Sequence, residues 1–121
     1  MPLPPMEVVD FEEAFRQRYG VAPKLDGMLL MIGVDVLGYW PEGAEKVIKQ
    51  DLIMLGVWRL LEWRRYAVRQ GTDAEGWPQY ELIQPLPYQD SEEETDFLER
   101  TARAYFAEIW RNLERARPRD H

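Results

Sequence analysis

MLLMIGVDVLG (residues 28–38) and LIMLGVWRLL (residues 52–61) decide how this chain folds, because each is apolar on every side. The only charge in the first is Asp35, and the only charge in the second is Arg59. A helix that is hydrophobic all round must be covered by other elements or by another subunit. The remainder of the chain reads as that cover. For residues 28–37 two readings compete: IGVDV is β-branched and alternates as a strand does, whereas MLLM does not. Asp26 as an N-cap and Gly38 just past the end favour the helix. In that helix Asp35 falls in the last turn, where the negative end of the helix dipole disfavours a carboxylate. It then needs a cation or a route to water.

The second segment lies within a longer helical stretch, from about 42 to 66, that follows a turn at Trp40-Pro41. Gly56 sits at its apolar waist. Glycine there gives up ~1 kcal/mol of helix propensity relative to alanine, and the expected return is close approach of a neighbouring backbone.

Residues 1–9, with three prolines, read as an irregular arm. Asp10 and Glu13 have capping-box spacing, and Phe11, Ala14, Phe15, Arg18 and Tyr19 follow the period of a short amphipathic helix ended by Gly20. Beyond residue 66 the period changes. YAVR and YELIQ are short segments of strand composition on either side of QGTDAEGWPQ, which predicts a hairpin over roughly 66–84 with a long loop. Gln84-Pro85-Leu86-Pro87 gives an extended connector. In the last element Ser91 and Glu94 have capping-box spacing, and two rows share one apolar stripe: Phe97, Thr101, Tyr105, Ile109, Leu113, and beside it Leu98, Ala102, Phe106, Trp110. Residues 116–121 read as a disordered tail.

These segments predict a mainly α fold, a single domain over 1–121 with about four helices around a central buried helix and one small β-hairpin. No internal repeat and no sustained heptad seam is read. The waist of the third helix, Met28–Ile32 and the stripe of the last helix offer much apolar surface for a chain of 121 residues, which points to a homodimer.

Composition excludes several classes. Cysteine is absent, no apolar run approaches the roughly 18 residues of a membrane span, and MPLPPMEVVD lacks the features of a signal peptide. A cytoplasmic protein without membrane contact is expected. The net charge of −7 argues against nucleic acid, whose phosphates are bound by clustered lysine and arginine. Charge is laid down in blocks, with six acids over 89–99 and six arginines over 100–121. Such blocks can steer association with a protein partner.

Candidate site residues are few. Asp35, Asp51 and Glu62 invite a carboxylate metal reading, but Asp51 and Glu62 are eleven residues apart, ~16 Å along a helix. The only histidine is His121, so no Glu-x-x-His motif exists. No metal and no cofactor is expected, and Glu62 with Arg59 reads as an ordinary i, i+3 ion pair. Asp35 and Arg59, each alone in an apolar segment, either pair with one another in the core or reach solvent at its edge. Trp77 on a turn rich in glycine and proline is a binding anchor or a cap on its own core. Trp63, Arg64, Arg65, Tyr66 and Arg69 mix bases with aromatics, which helix-end solvation in an acidic chain explains better than base stacking. No motif for nucleophilic catalysis, phosphate cradling or dinucleotide binding is present. The expectation is a non-enzymatic interaction or assembly module acting as a homo-oligomer or with a protein partner. The alternative is a small-molecule binding protein or enzyme with a pocket between the apolar helices, edged by Asp35, Arg59 and Glu62.

Overall fold

The computed structural model describes residues 8–39 and 46–116. In chain order the elements are α1 (Val8–Tyr19), α2 (Leu25–Leu37), α3 (Lys46–Trp63), β1 (Ala67–Thr72), β2 (Pro78–Leu82) and α4 (Ser91–Ala116). The fold is mainly α with one antiparallel hairpin, as the hydrophobic periods require. The Trp40-Pro41 turn, residues 1–7 of the arm and residues 117–121 of the tail lie outside the described residues; Val8 and Val9, expected in the arm, open α1, and Ala116, expected in the tail, closes α4.

Residues 28–37 are helical, and the strand alternative is set aside. Gly38 takes the left-handed conformation, φ 92°, and its N–H bonds to the Val34 carbonyl. At the other end Lys24 is the N-cap, without a side-chain bond, and Asp26 lies inside the first turn instead of capping it. Asp10 likewise lies within α1, which begins at Val8, so no box starts there.

The contact between α2 and α3 is made by two glycines. A Cβ on Gly33 would lie 2.8 Å from the Leu52 carbonyl carbon and closer still to its oxygen. One on Gly56 would lie 2.9 Å from the Leu29 carbonyl carbon. The helices therefore run antiparallel with their main chains in direct contact. The arrangement is reciprocal, because Leu29 precedes Gly33 by four residues as Leu52 precedes Gly56. LLMIGV (29–34) and LIMLGV (52–57) are thus alike over six residues, a local likeness at the helix contact and not a repeat of structural units.

Helix α3 ends three residues earlier than expected. Arg65 adopts φ 68°, and the N–H groups of Arg65 and Tyr66 return to the carbonyls of Glu62 and Leu61. This is a Schellman motif with arginine in the place usually held by glycine. The chain leaves it directly into β1.

In the hairpin Ala67 pairs with Leu82 and Thr72 with Pro78, with an irregularity between Arg69 and Gly71. Gly71, φ 118°, absorbs that bulge, so the strands run further than composition suggested and the loop shrinks to five residues, 73–77. Two bonds clasp the hairpin to the end of α3: Ile83 N–H to the Tyr66 carbonyl, and Gln84 Nε2 to the Arg65 carbonyl.

The cap of α4 is shifted by one residue from Ser91 and Glu94. Asp90 Oδ1 accepts from the Glu93 N–H at 2.8 Å, and Glu93 Oε1 accepts from the Gln89 N–H at 2.8 Å. Both candidate boxes have the same sequence spacing, and only the position of the first helical turn separates them. The stripe of α4 buries Leu98, Thr101, Ala102, Tyr105, Phe106 and Trp110. Leu113, predicted to belong to it, is exposed.

The core joins α1, α2, α3 and α4 through Phe11, Phe15, Met28, Ile32, Leu60 and their neighbours. At one end five aromatics pack together. Phe15 meets Phe106 edge to face at 5.5 Å, Phe11 stacks on Trp110 at 5.2 Å, and Trp110 Nε1 donates to the Tyr19 hydroxyl. Edge-to-face pairs add ~0.5–1.5 kcal/mol beyond area burial. One chain thus covers by itself Met28–Ile32, most of the α4 stripe, and Leu52, Leu55, Leu60 and Leu61 of α3. The cover is incomplete at Met54, which is 55% exposed.

Candidate functional site

The residues singled out in the sequence do not meet at one place. Asp35 is exposed in the last turn of α2, at the rim of a recess of about 200 Å³ beside Tyr19, Met31 and Tyr105. The buried Asp35–Arg59 pair does not form. The dipole disfavoured a carboxylate there, and the chain resolves this by turning Asp35 to water.

Arg59 is held by α4 and by its own helix. Its Nε donates to the Tyr105 hydroxyl at 3.2 Å, its Nη1 pairs with Glu62 Oε1 at 3.1 Å, and its guanidinium lies 5.3 Å from the Tyr105 ring centroid. Burial works against the charge, but the Tyr105 hydroxyl and the Glu62 carboxylate outweigh it and hold Arg59 above its ordinary pKa. Trp63 closes the cluster, edge-on to Tyr105 at 5.4 Å. Arg59 and Trp63 therefore join α3 to α4 through Tyr105, and Glu62 holds Arg59 from within α3.

Trp77 belongs to a different place. The loop that carries it is braced by Asp73, whose Oδ1 accepts the N–H groups of Glu75 and Trp77, both at 2.9 Å. The Asp73 N–H in turn bonds the Trp77 carbonyl. Trp77, half-buried, lines an open cleft of about 380 Å³ between the hairpin and α3. The α3 wall of this cleft is Asp51, Met54, Leu55 and Trp58. Tyr80 of β2 stacks on Trp58 with ring centroids 5.8 Å apart and an interplanar angle of 4°. Burial, and after it the Glu62 carboxylate, push the Tyr80 phenol up, against the opposing pull of Arg69 and Arg59.

A second space of about 450 Å³ adjoins the first and shares Met54 and Trp58 with it. Its walls are apolar: Leu29 of α2, Val57 and Leu61 of α3, Leu82 of β2, Leu86 of the connector and Leu98 of α4. Asp26 and Glu94 stand among them, with Tyr88 beside Glu94. The Tyr88 phenol is raised by burial and then by that carboxylate. The two spaces lie side by side along α3, each open to solvent, with Met54 and Trp58 as common walls, and as a pair they make a groove with an aromatic and acidic end and an apolar end.

Sequence reasoning found Trp77 and missed Trp58, Tyr80, Met54, Leu82 and Leu86. A signal was present in β2, where Pro78, Tyr80 and Leu82 share one face of the strand. A hairpin of two strands is not stable alone and its apolar face needs a helix to lie on. That helix is α3, the most apolar long helix in the chain, and the covering is loose enough to leave the groove.

The lining of the groove offers large apolar and aromatic surfaces and carboxylates, without a thiol or an imidazole. Among the described residues no group of three or more histidine, aspartate or glutamate side chains is placed to hold a metal ion, and no helix is long and apolar enough to cross a membrane. No family model matches the chain, and no curated protein or solved structure matches it either.

Proposed function

We propose that this protein is a non-enzymatic interaction module that takes up a segment of a partner polypeptide in the groove between α3, the hairpin and the start of α4. The observation that carries this reading is the open apolar groove itself. Met54, Leu82 and Leu86 on its walls are 55%, 40% and 42% exposed. Contiguous apolar surface left open to water marks an interaction site more often than chance. A small-molecule site encloses most of its ligand's surface, and this groove is a trough. Asp35 and Tyr105 line a small recess of about 200 Å³, while Arg59 donates to the Tyr105 hydroxyl and pairs with Glu62, so these polar groups favour the groove less than the apolar walls do.

A second copy is the competing occupant. Against it, most of the apolar surface that suggested a homodimer is buried within one chain, and a copy carrying net charge −7 would meet a groove lined by acids. Light scattering over a dilution series separates the two occupants. A constant 14.4 kDa supports a partner of another kind, and a stable doubled mass supports the homodimer. Selection of random peptides on the protein tests the groove directly. Selected peptides should lose at least about tenfold in affinity against Leu86→Asp or Met54→Gln. Peptides indifferent to both variants would remove the groove from consideration.

A further inference from the structure

The partner segment can be specified further, on the reading that the groove is a polypeptide site. Among the described residues, every charged side chain lining it is an acid: Asp51, Asp73 and Glu75 stand at the aromatic end, and Asp26 and Glu94 at the apolar end. Arg59 is bound to Glu62 and Tyr105, while Arg69, the cross-strand partner of Tyr80, is close enough to pull its phenol down.

The aromatic end has a second property that suits a cation. Trp58 and Tyr80 stack nearly parallel, each covering part of one face of the other, and Trp77 lines the same cleft from the loop. Aromatic faces attract ammonium and guanidinium groups, and the attraction grows where carboxylates stand close and solvent is partly excluded. Apolar residues continue from there, through Met54 and Trp58, into the second space.

We infer that the groove binds a cationic amphipathic segment, with a lysine or arginine seated among Trp58, Trp77, Asp51 and Glu75, and apolar residues following toward Leu82, Leu86 and Leu98. The groove follows α3 from Asp51 to Leu61, ten residues or ~15 Å at 1.5 Å per residue. That length holds four to five residues of extended chain at ~3.3 Å each, or roughly ten residues of helix. Complementary charge here sets which segments bind and how fast they arrive, while apolar burial sets how long they stay.

The test uses three capped twelve-residue peptides in which pairs of leucines alternate with lysine, with glutamine, or with glutamate. Affinities for the full-length protein are read by titration calorimetry at low and at moderate salt. The lysine peptide should bind at least about tenfold tighter than the glutamine peptide at low salt, with the gap narrowing as salt rises. The glutamate peptide should bind weakest. The double variant D51N/E75Q, at exposed positions, should remove most of the lysine advantage, so that the lysine and glutamine peptides bind with nearly the same affinity. Asp73 is left intact because its carboxylate holds the loop.

If the glutamine peptide binds as tightly as the lysine peptide and Leu86→Asp abolishes both, the groove reading stands and the cationic inference fails. A lysine advantage that survives D51N/E75Q also overturns it, since the attraction would then come from the net charge of the whole protein. If no peptide binds, or none responds to Leu86→Asp and Met54→Gln, both readings fall. Circular dichroism of each variant confirms that the fold is retained.

Discussion

Gly33 and Leu52 meet through main chain alone, with no side chain between the Gly33 Cα and the Leu52 carbonyl. Gly56 meets Leu29 in the same way. A methyl group at either glycine has to push the two helices apart, because the atoms it meets are backbone. Gly33→Ala and Gly56→Ala should each lose at least ~2–3 kcal/mol, the upper range for overpacking. Gly27, two turns earlier on α2, has nothing within 4 Å of a built Cβ. Gly27→Ala should gain up to ~1 kcal/mol from helix propensity. Urea unfolding midpoints for the three variants check this, and a common sign would contradict it.

At the end of α3 the left-handed Arg65 carries a Cβ in a conformation that disfavours one. The strain of such a residue is ~1–2 kcal/mol, partly offset by the greater freedom of glycine in the unfolded chain. Arg65→Gly should raise stability by ~0.5–1 kcal/mol. Arg65→Ala keeps the Cβ and should give no gain, so thermal unfolding of both isolates the backbone effect.

Asp90 and Ser91 can be told apart by their alanine variants. Asp90→Ala removes the acceptor for the Glu93 N–H and should lose ~1 kcal/mol. Ser91→Ala should change stability by less than ~0.5 kcal/mol, as surface substitutions do. The reverse order would restore the cap that the sequence first suggests.

Tyr80 and Tyr88 both have phenols raised above the ordinary value of 10.0, chiefly by burial. A folded-state pKa above the unfolded one means that the native protein holds the phenolic proton more firmly. The contribution is therefore complete below pH 10 and is lost as pH climbs through the raised folded values. Stability measured from pH 9 to 12 should fall, and the fall should be shallower in the Tyr80→Phe and Tyr88→Phe variants. An unchanged slope in both would show that these phenols do not contribute to it.

Asp35 and Tyr105 make a last contrast. Asp35 faces water, so Asp35→Asn should move stability by less than ~0.5 kcal/mol. Tyr105→Phe keeps the ring that packs on Trp63 and deletes the hydroxyl that Arg59 donates to. It should lose ~1 kcal/mol. Chemical denaturation of both variants checks the pair.

The helices were legible in the sequence because their periods and stops are local. Gly20 and Gly38 end α1 and α2 where turn chemistry places them, and the α4 stripe is regular enough to give its buried face down to Trp110. Leu113 failed because a stripe can be read further than its partner helices extend. The α4 cap failed by one residue, since Asp90-Ser91-Glu92-Glu93-Glu94 contains two overlapping boxes of equal spacing. Asp35 and Arg59 were joined on the premise that a lone charge in an apolar run is buried. Asp35 instead leaves by an exposed helix end, and Arg59 finds its partners four residues or fewer along α3 and across on α4. The groove was not legible because it belongs to no segment. It exists only where β2 fails to cover all of α3, and that depends on how far the hairpin reaches.

The brace formed by Asp73 has a consequence for binding kinetics. Its carboxylate holds the Glu75 and Trp77 amides before any ligand arrives. Part of the ordering entropy that a loop loses on complex formation has thus already been given up during folding. On the proposal that the groove takes up a segment, the loop would meet that segment nearly as a rigid body. Loosening the brace with Asp73→Ala should then appear as faster dissociation from the same site, with the identity of the preferred segment unaltered.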